Sequence, residues 1–253
     1  MSHSPEDYAR ALLTHLRIDR VVDVEETAKK LRLSIREVAS TNFEGALVRI
    51  AQSREGIIAL KNYFREPARR RFTVLHEVAH FILPGHGQDE CYCTSAQIES
   101  WRNDAVRRQE YEANRFASEL LLPSKILHPI VNSRDLTLTR IKELAVQFDT
   151  SLTATAVKSV GVTEESCAVI CSVQRKVKWV HKSETFHYYI PQMIVGPDCL
   201  AGRLFEDDSP RELEGAVAAS SWTEDDNVER GKEFWEESIS MPFYGSVLTI
   251  LTA

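Results

Sequence analysis

Residues 72–86 read FTVLHEVAHFILPGH and hold three of the eight histidines of a 253-residue chain. A helix turns about 100° per residue, so His76 and His80, four positions apart, return to the same face. Two imidazoles so placed can hold one divalent metal. Glu77 then stands beside the open coordination position, where a general base belongs, and not among the ligands. The competing reading of H-E-x-x-H is two polar residues on the outside of a core helix, and five letters alone do not separate the two. A catalytic zinc needs a third protein ligand. His86 lies ten residues after His76, the metzincin spacing, although Leu83 stands where that pattern has glycine. The other candidates are acids on a second helix, residues 110–123, EYEANRFASELLLP, which offers Glu110 and Glu112.

Around this stretch the pattern alternates between helical and extended. SPEDYARALLTHLR places Tyr8, Leu12, Leu13 and Leu16 on one helical face. A second helix starts at Asp23, with Glu26 three residues on in capping-box relation. NFEGALVRIA and GIIALKN, separated by QSRE, predict a hairpin. EPARRRF reads as a solvated loop and helix entry, leading into the first histidine helix, which spans about Arg70 to Leu83 and stops at Pro84 and Gly85. After an irregular stretch comes the second strong helix, stopped by Pro123. Residues 137–160 hold two short helices joined at DTS, a helix-turn-helix spacing. From Glu165 the pattern is β-rich, with strands expected in SCAVICSV, VKWVHKS, FHYYIPQMIV and YGSVLTILTA.

RRRFTVLHEVAHFIL followed by EYEANRFASELLLP resembles the ImmA/IrrE family of bacterial metallopeptidases, and the likeness extends more weakly to the hairpin and to the closing YGSVLTILTA. The resemblance implies an α+β chain. A thermolysin-like zincin domain over 1–123 would carry a small sheet and two metal-bearing helices, followed by a helix-turn-helix-like subdomain over 124–161 and a β-rich, GAF-like sensor domain over 162–253. It implies Zn2+ held by His76, His80 and Glu110, with Glu77 as catalytic base. Asn114, one turn after Glu110, would then accept a proton from a ligand imidazole. Glu112, about 200° around the helix from Glu110, is expected to be a solvated charge. The implied substrate is a helix-turn-helix repressor, whose cleavage would derepress stress, DNA-damage or phage-defence genes in response to a small-molecule or nucleic-acid signal. The substrate is expected to bind extended, at the edge of the sheet that contains Ile57 to Leu60. Tyr111, Tyr92 and His86 are candidates for stabilising the oxyanion.

Charge and cysteine usage narrow the alternatives. The net charge of −6 is uneven, because residues 1–160 carry +2 and residues 161–253 carry −8. An acidic C-terminal part does not suit phosphate binding, so a DNA-binding regulator would have to use the 137–160 helices, whose second helix offers only Lys158. No apolar run is long enough to span a bilayer and the first twenty residues lack a secretory core, so a cytoplasmic protein without membrane partners is expected. Five cysteines are few for this length and are expected as reduced thiols. Cys91 and Cys93 fall in the connection between His80 and Glu110. A thiolate there, Cys93 by preference, could occupy the fourth zinc position and hold the enzyme off.

Overall fold

Reciprocal capping opens the chain: Ser4 N donates to Asp7 Oδ2 at 2.9 Å, and Asp7 N donates to Ser4 Oγ at 3.2 Å. The computed structural model describes residues 3–19, 21–39, 43–50, 52–86, 91–93, 104–206, 211–224, 229 and 231–253, with backbone alone at 91–93 and 104–106. It divides into two compact units, Met1–Pro123 with Gln147–Ser151, and Ser124–Val146 with Leu152–Ala253.

The first unit runs α1 (Pro5–Leu16), α2 (Val24–Lys30), β1 (Leu33–Val38), β2 (Gly45–Arg49), β3 (Gly56–Lys61), α3 (Pro67–Ile82), β4 (Cys91–Cys93) and α4 (Asp104–Leu121). Asp23 caps α2 by accepting from Glu26 N at 2.8 Å, but the Glu26 carboxylate pairs with Lys30 at 2.8 Å and no capping box closes. β2 and β3 form the expected antiparallel hairpin, Gly45 opposite Leu60. β1, which sequence patterning does not identify, pairs parallel with β3. Only Leu33 in it is buried, so its alternation is weak and the strand is fixed by a non-local pairing. The sheet order is β1-β3-β2-β4, so Ile57–Leu60 lie on an internal strand, and the edges among the described residues are β1 and β4. α3 packs on β2, β3 and α4. It buries every residue from Thr73 to His80, as a helix covered on several sides must.

The second unit runs α5 (Ser124–Val131), α6 (Leu138–Phe148), α7 (Leu152–Val160), β5 (Cys167–Val173), β6 (Lys176–Lys182), α8 (Leu200–Leu204), β7 (Glu212–Ala218), β8 (Glu233–Met241) and β9 (Ser246–Thr252). Its five strands form one antiparallel sheet in the order β6-β5-β9-β8-β7. α6 and α7 meet at Asp149, whose φ of 52° is left-handed, a region an aspartate tolerates. α7 packs on β5 and β6 and has no exposed residue, so its intended recognition face is spent on the core. Glu165 and Glu237 hold the start of α6 by accepting from Leu136 N at 3.0 Å and Leu138 N at 2.8 Å. FHYYIPQMIV is not the expected strand. Pro191 offers no ladder donor, and Phe186, Ile190 and Val195 turn into the core that includes Trp222 and Phe234. Among the described residues no helix is long and apolar enough to cross a membrane.

One buried carboxylate ties this unit together. Glu236, fully buried on β8, accepts from Leu200 N at 3.1 Å, Ala201 N at 2.6 Å, Trp222 Nε1 at 2.8 Å and Ser238 Oγ at 2.8 Å. The chain before α8 passes so close that a Cβ on Gly202 would fall 1.8 Å from Gly196 O. Burial pushes the Cys167 and Cys199 thiols up to about 12 and raises Cys171, which keeps these three protonated and unreactive. Replacing Glu236 with alanine strands four donors in the core and is expected to cost at least about 3 kcal/mol. Urea unfolding of Glu236→Ala checks this, and a loss below about 1 kcal/mol would show that the carboxylate is not the tie.

Candidate metal centre

α3 is anchored at both ends before it presents anything. Pro67 occupies its first turn. The basic run that follows is the expected helix entry, but it is paired and not a solvated loop: Arg69 pairs with Glu44 at 2.6 Å, Arg70 with Glu25, and Arg71 with Asp149 at 3.3 Å and with Val22 O at 3.0 Å. At the far end Arg49, from the last position of β2, donates to His80 O at 2.6 Å, Phe81 O at 3.1 Å and His86 O at 3.4 Å. Its guanidinium also lies 5.0 Å from the centroid of the Phe81 ring. A cation on the last carbonyls complements the helix dipole. Nothing in the spacing of the sequence marks Arg49, because its partners are backbone atoms about thirty residues away in the chain. On the other helix, Arg10 reaches Glu119 at 3.4 Å and Arg115 reaches Glu6 at 2.5 Å, tying α1 to α4.

Between these anchors three electron-rich side chains converge. His76 Nε2 lies 3.1 Å from His80 Nε2 and 3.1 Å from Glu110 Oε2, and His80 Nε2 lies 3.3 Å from Glu110 Oε1. Donors about 2.0–2.1 Å from a tetrahedral zinc stand roughly 3.3 Å apart, so the residues fit such an ion. Among the described residues this is the one group of three His, Cys, Asp or Glu side chains able to hold a metal. Asn114 Oδ1 lies 3.0 Å from His76 Nδ1. An amide oxygen only accepts, so His76 donates from Nδ1 and keeps the Nε2 lone pair for the centre. All three ligand candidates are buried, as is Glu77. Gly45 makes room for Glu77, because an added Cβ would fall 2.7 Å from Glu77 Oε1 and 2.5 Å from Thr73 Cγ2.

The electrostatics follow from this packing. Burial opposes ionisation of Glu110, but its contacts with the His76 and His80 rings outweigh it and hold the carboxyl well below the usual carboxylate range. Burial also lowers the pKa of His80. For His76 burial acts the same way, yet the Glu110 hydrogen bond and the charges of Glu77 and Glu110 raise it. A cation at the centre would compete with protons for these nitrogens, so its binding is expected to weaken as the pH falls.

The remaining candidates fall as follows. His86 is buried, but its Nδ1 lies 3.1 Å from His80 Nδ1, on the side of that ring away from the triangle, so it cannot share the metal as a metzincin ligand would. Glu112 is not a solvated charge. Its Oε2 meets His86 Nε2 at 3.0 Å and its Oε1 meets Arg108 Nε at 2.7 Å. The helix does turn it away from Glu110, but the Pro84–His86 segment folds back and brings His86 to it. Tyr111 is exposed, with the Arg115 guanidinium 5.5 Å from its ring centroid. The backbone of Cys93 pairs with Gly45 and that of Cys91 with Leu47. The side chains of Cys91, Tyr92 and Cys93 lie outside the described residues.

A family model described as the IrrE N-terminal-like domain, the M78 peptidases, matches residues 28–159, which contain both helices of this centre. No curated protein matches the chain. A solved Mycobacterium tuberculosis transcriptional regulator superposes with a TM-score of 0.61 at 12% identity, covering 99% of this chain and 76% of that one. At that identity the likeness is one of fold. With its H-E-x-x-H and E-x-x-A-N helices joined in a single donor triangle inside the matched region, the chain belongs to the IrrE N-terminal-like (ImmA/IrrE, M78) peptidase family.

Proposed function

We propose that this protein is a zinc-dependent endopeptidase that cleaves a helix-turn-helix transcriptional repressor and so derepresses stress, DNA-damage or phage-defence genes. The observation that carries the reading is the buried triangle of His76, His80 and Glu110 with the buried Glu77 one position from the first ligand. Zinc held by His76, His80 and Glu110 would supply Lewis acidity to a scissile carbonyl and would lower the pKa of a bound water toward about 7. Glu77 would act as base toward the attacking water and then as acid toward the departing amine. The substrate binds extended along β4, an edge of the sheet among the described residues. Support comes from the pairing of Cys93 with Gly45, the residue packed against Glu77.

The repressor as substrate rests on family membership and not on site chemistry. The antiparallel sheet of the second unit, with α7 packed on β5 and β6 and α8 on β7, β8 and β9, agrees with a GAF-like sensor without naming its ligand. Direct DNA binding has no comparable support, since α7 has no exposed residue.

Glu77→Gln should retain one equivalent of zinc while cleavage of the repressor encoded beside this gene falls by roughly 10²–10⁴-fold, read by mass spectrometry of the products. Cleavage at the wild-type rate overturns the role of Glu77. Glu110→Gln should lose the metal and Glu112→Gln keep a full equivalent, with the reverse pattern overturning the ligand assignment. A neighbouring product left whole by the zinc-loaded enzyme counts against the substrate alone.

The thiol switch is tested separately. Cys93→Ser should raise basal cleavage under reducing conditions with zinc content unchanged, and equal rates in mutant and wild type would remove Cys93 from regulation.

A further inference from the structure

Two residues that the reaction does not use stand in line behind His80. His86 Nδ1 lies 3.1 Å from His80 Nδ1, His86 Nε2 lies 3.0 Å from Glu112 Oε2, and Glu112 Oε1 takes Arg108 Nε at 2.7 Å. The proton positions along this line can be worked out from its outer end. A carboxylate paired with arginine only accepts, so His86 Nε2 carries hydrogen. A His80 that ligates through Nε2 carries its hydrogen on Nδ1, so the hydrogen between the two rings belongs to His80 and His86 Nδ1 accepts it. That leaves the His80 Nε2 lone pair directed at the triangle.

We infer that His86 and Glu112 form a positioning relay that fixes the tautomer and ring orientation of His80 as a metal ligand. The inference rests on the proposed metal centre and deepens it. A partner on the far nitrogen of a ligating histidine raises its basicity and fixes its orientation. Asn114 fills that place for His76 directly, whereas His80 is served through an intervening imidazole.

The segment that carries His86 is built for this position. Gly85 has a φ of +81°, which lets the chain reverse after Pro84, and its carbonyl accepts from Gln109 Nε2 at 2.7 Å. The His86 carbonyl accepts from Arg49 at 3.4 Å, and His86 N donates to Leu83 O at 3.3 Å. The ring is thus placed from β2, from α3 and from α4. Its side chain is 1% exposed, against 78% for Arg108, so the relay leads from the buried ligand to the surface.

The test reads zinc affinity by competition with a chromophoric chelator, and proton positions by long-range 1H–15N correlation of the histidine rings in the zinc-loaded wild type. His86→Leu should weaken zinc binding about 10–100-fold while the metal-free variant keeps the wild-type circular dichroism and melting temperature. His86→Gln, whose amide can accept from His80 and donate to Glu112, should recover affinity to within about tenfold of wild type. Glu112→Leu added to His86→Leu should cost no more than about threefold beyond the worse single variant, because both act through one ring. The spectra should show hydrogen on His80 Nδ1 and on His86 Nε2. Unchanged affinity in His86→Leu, independent losses in the double variant, or hydrogen on His86 Nδ1 overturns the relay and leaves the zinc site standing. If His86→Leu does not fold, the wild-type spectra decide. A wild-type protein that binds no zinc overturns the relay and the peptidase reading together.

Discussion

Two imidazole nitrogens 3.1 Å apart, each within 3.3 Å of one oxygen of a shared carboxylate in a buried site, repel one another unless positive charge lies among them, and the first unit is organised around holding them there. Neither α3 nor α4 has this geometry alone. The histidines come from one helix and the glutamate from the other, so the centre exists only while the two stay in contact at a fixed rotation. Buried Ala79 on α3 and Ala113 and Ala117 on α4 keep side-chain bulk on these helices small.

The charged residues of this unit serve the same constraint. Arg69, Arg70 and Arg71 hold the start of α3, Arg49 holds its end, and Arg10 and Glu6 hold α4 through Glu119 and Arg115. Many of these pairs are partly exposed, and each is worth little alone. Their effect is on register, since they join different elements and oppose sliding of one helix along another. Gly45 and Asn114 act closer in, one leaving space for the Glu77 carboxylate and the other orienting His76. The second unit uses a comparable device for another end. Glu236 joins β8 to the start of α8 and to Trp222, so one carboxylate fixes a loop cover on a sheet.

Much of this was legible because its signals are local. The spacing of His76 and His80, the cap at Asp23, the stops at Pro84 and Pro123, and the β2–β3 hairpin all lie within a few residues of the features they define. The strand expected in FHYYIPQMIV failed because aromatic content reports burial and not backbone pairing. β1 and β8 escaped notice because their burial does not alternate regularly, and β7 because Glu212, Glu214 and Gly215 are residues that strands rarely use.

The sequence by itself determined the chemistry available: two histidines one turn apart, a glutamate beside them, and a second helix with acids at 110 and 112. It did not determine what the second acid and the third histidine do. Glu112 points away from Glu110 on any helix, which made a solvated charge the natural expectation. Only the tertiary structure, by turning the chain at Gly85 and clamping it with Arg49 and Gln109, brought His86 between Glu112 and His80. Helical periodicity fixes angles within one element, while contact across two elements depends on their packing and on the path of the loop between them, and residue spacing encodes neither.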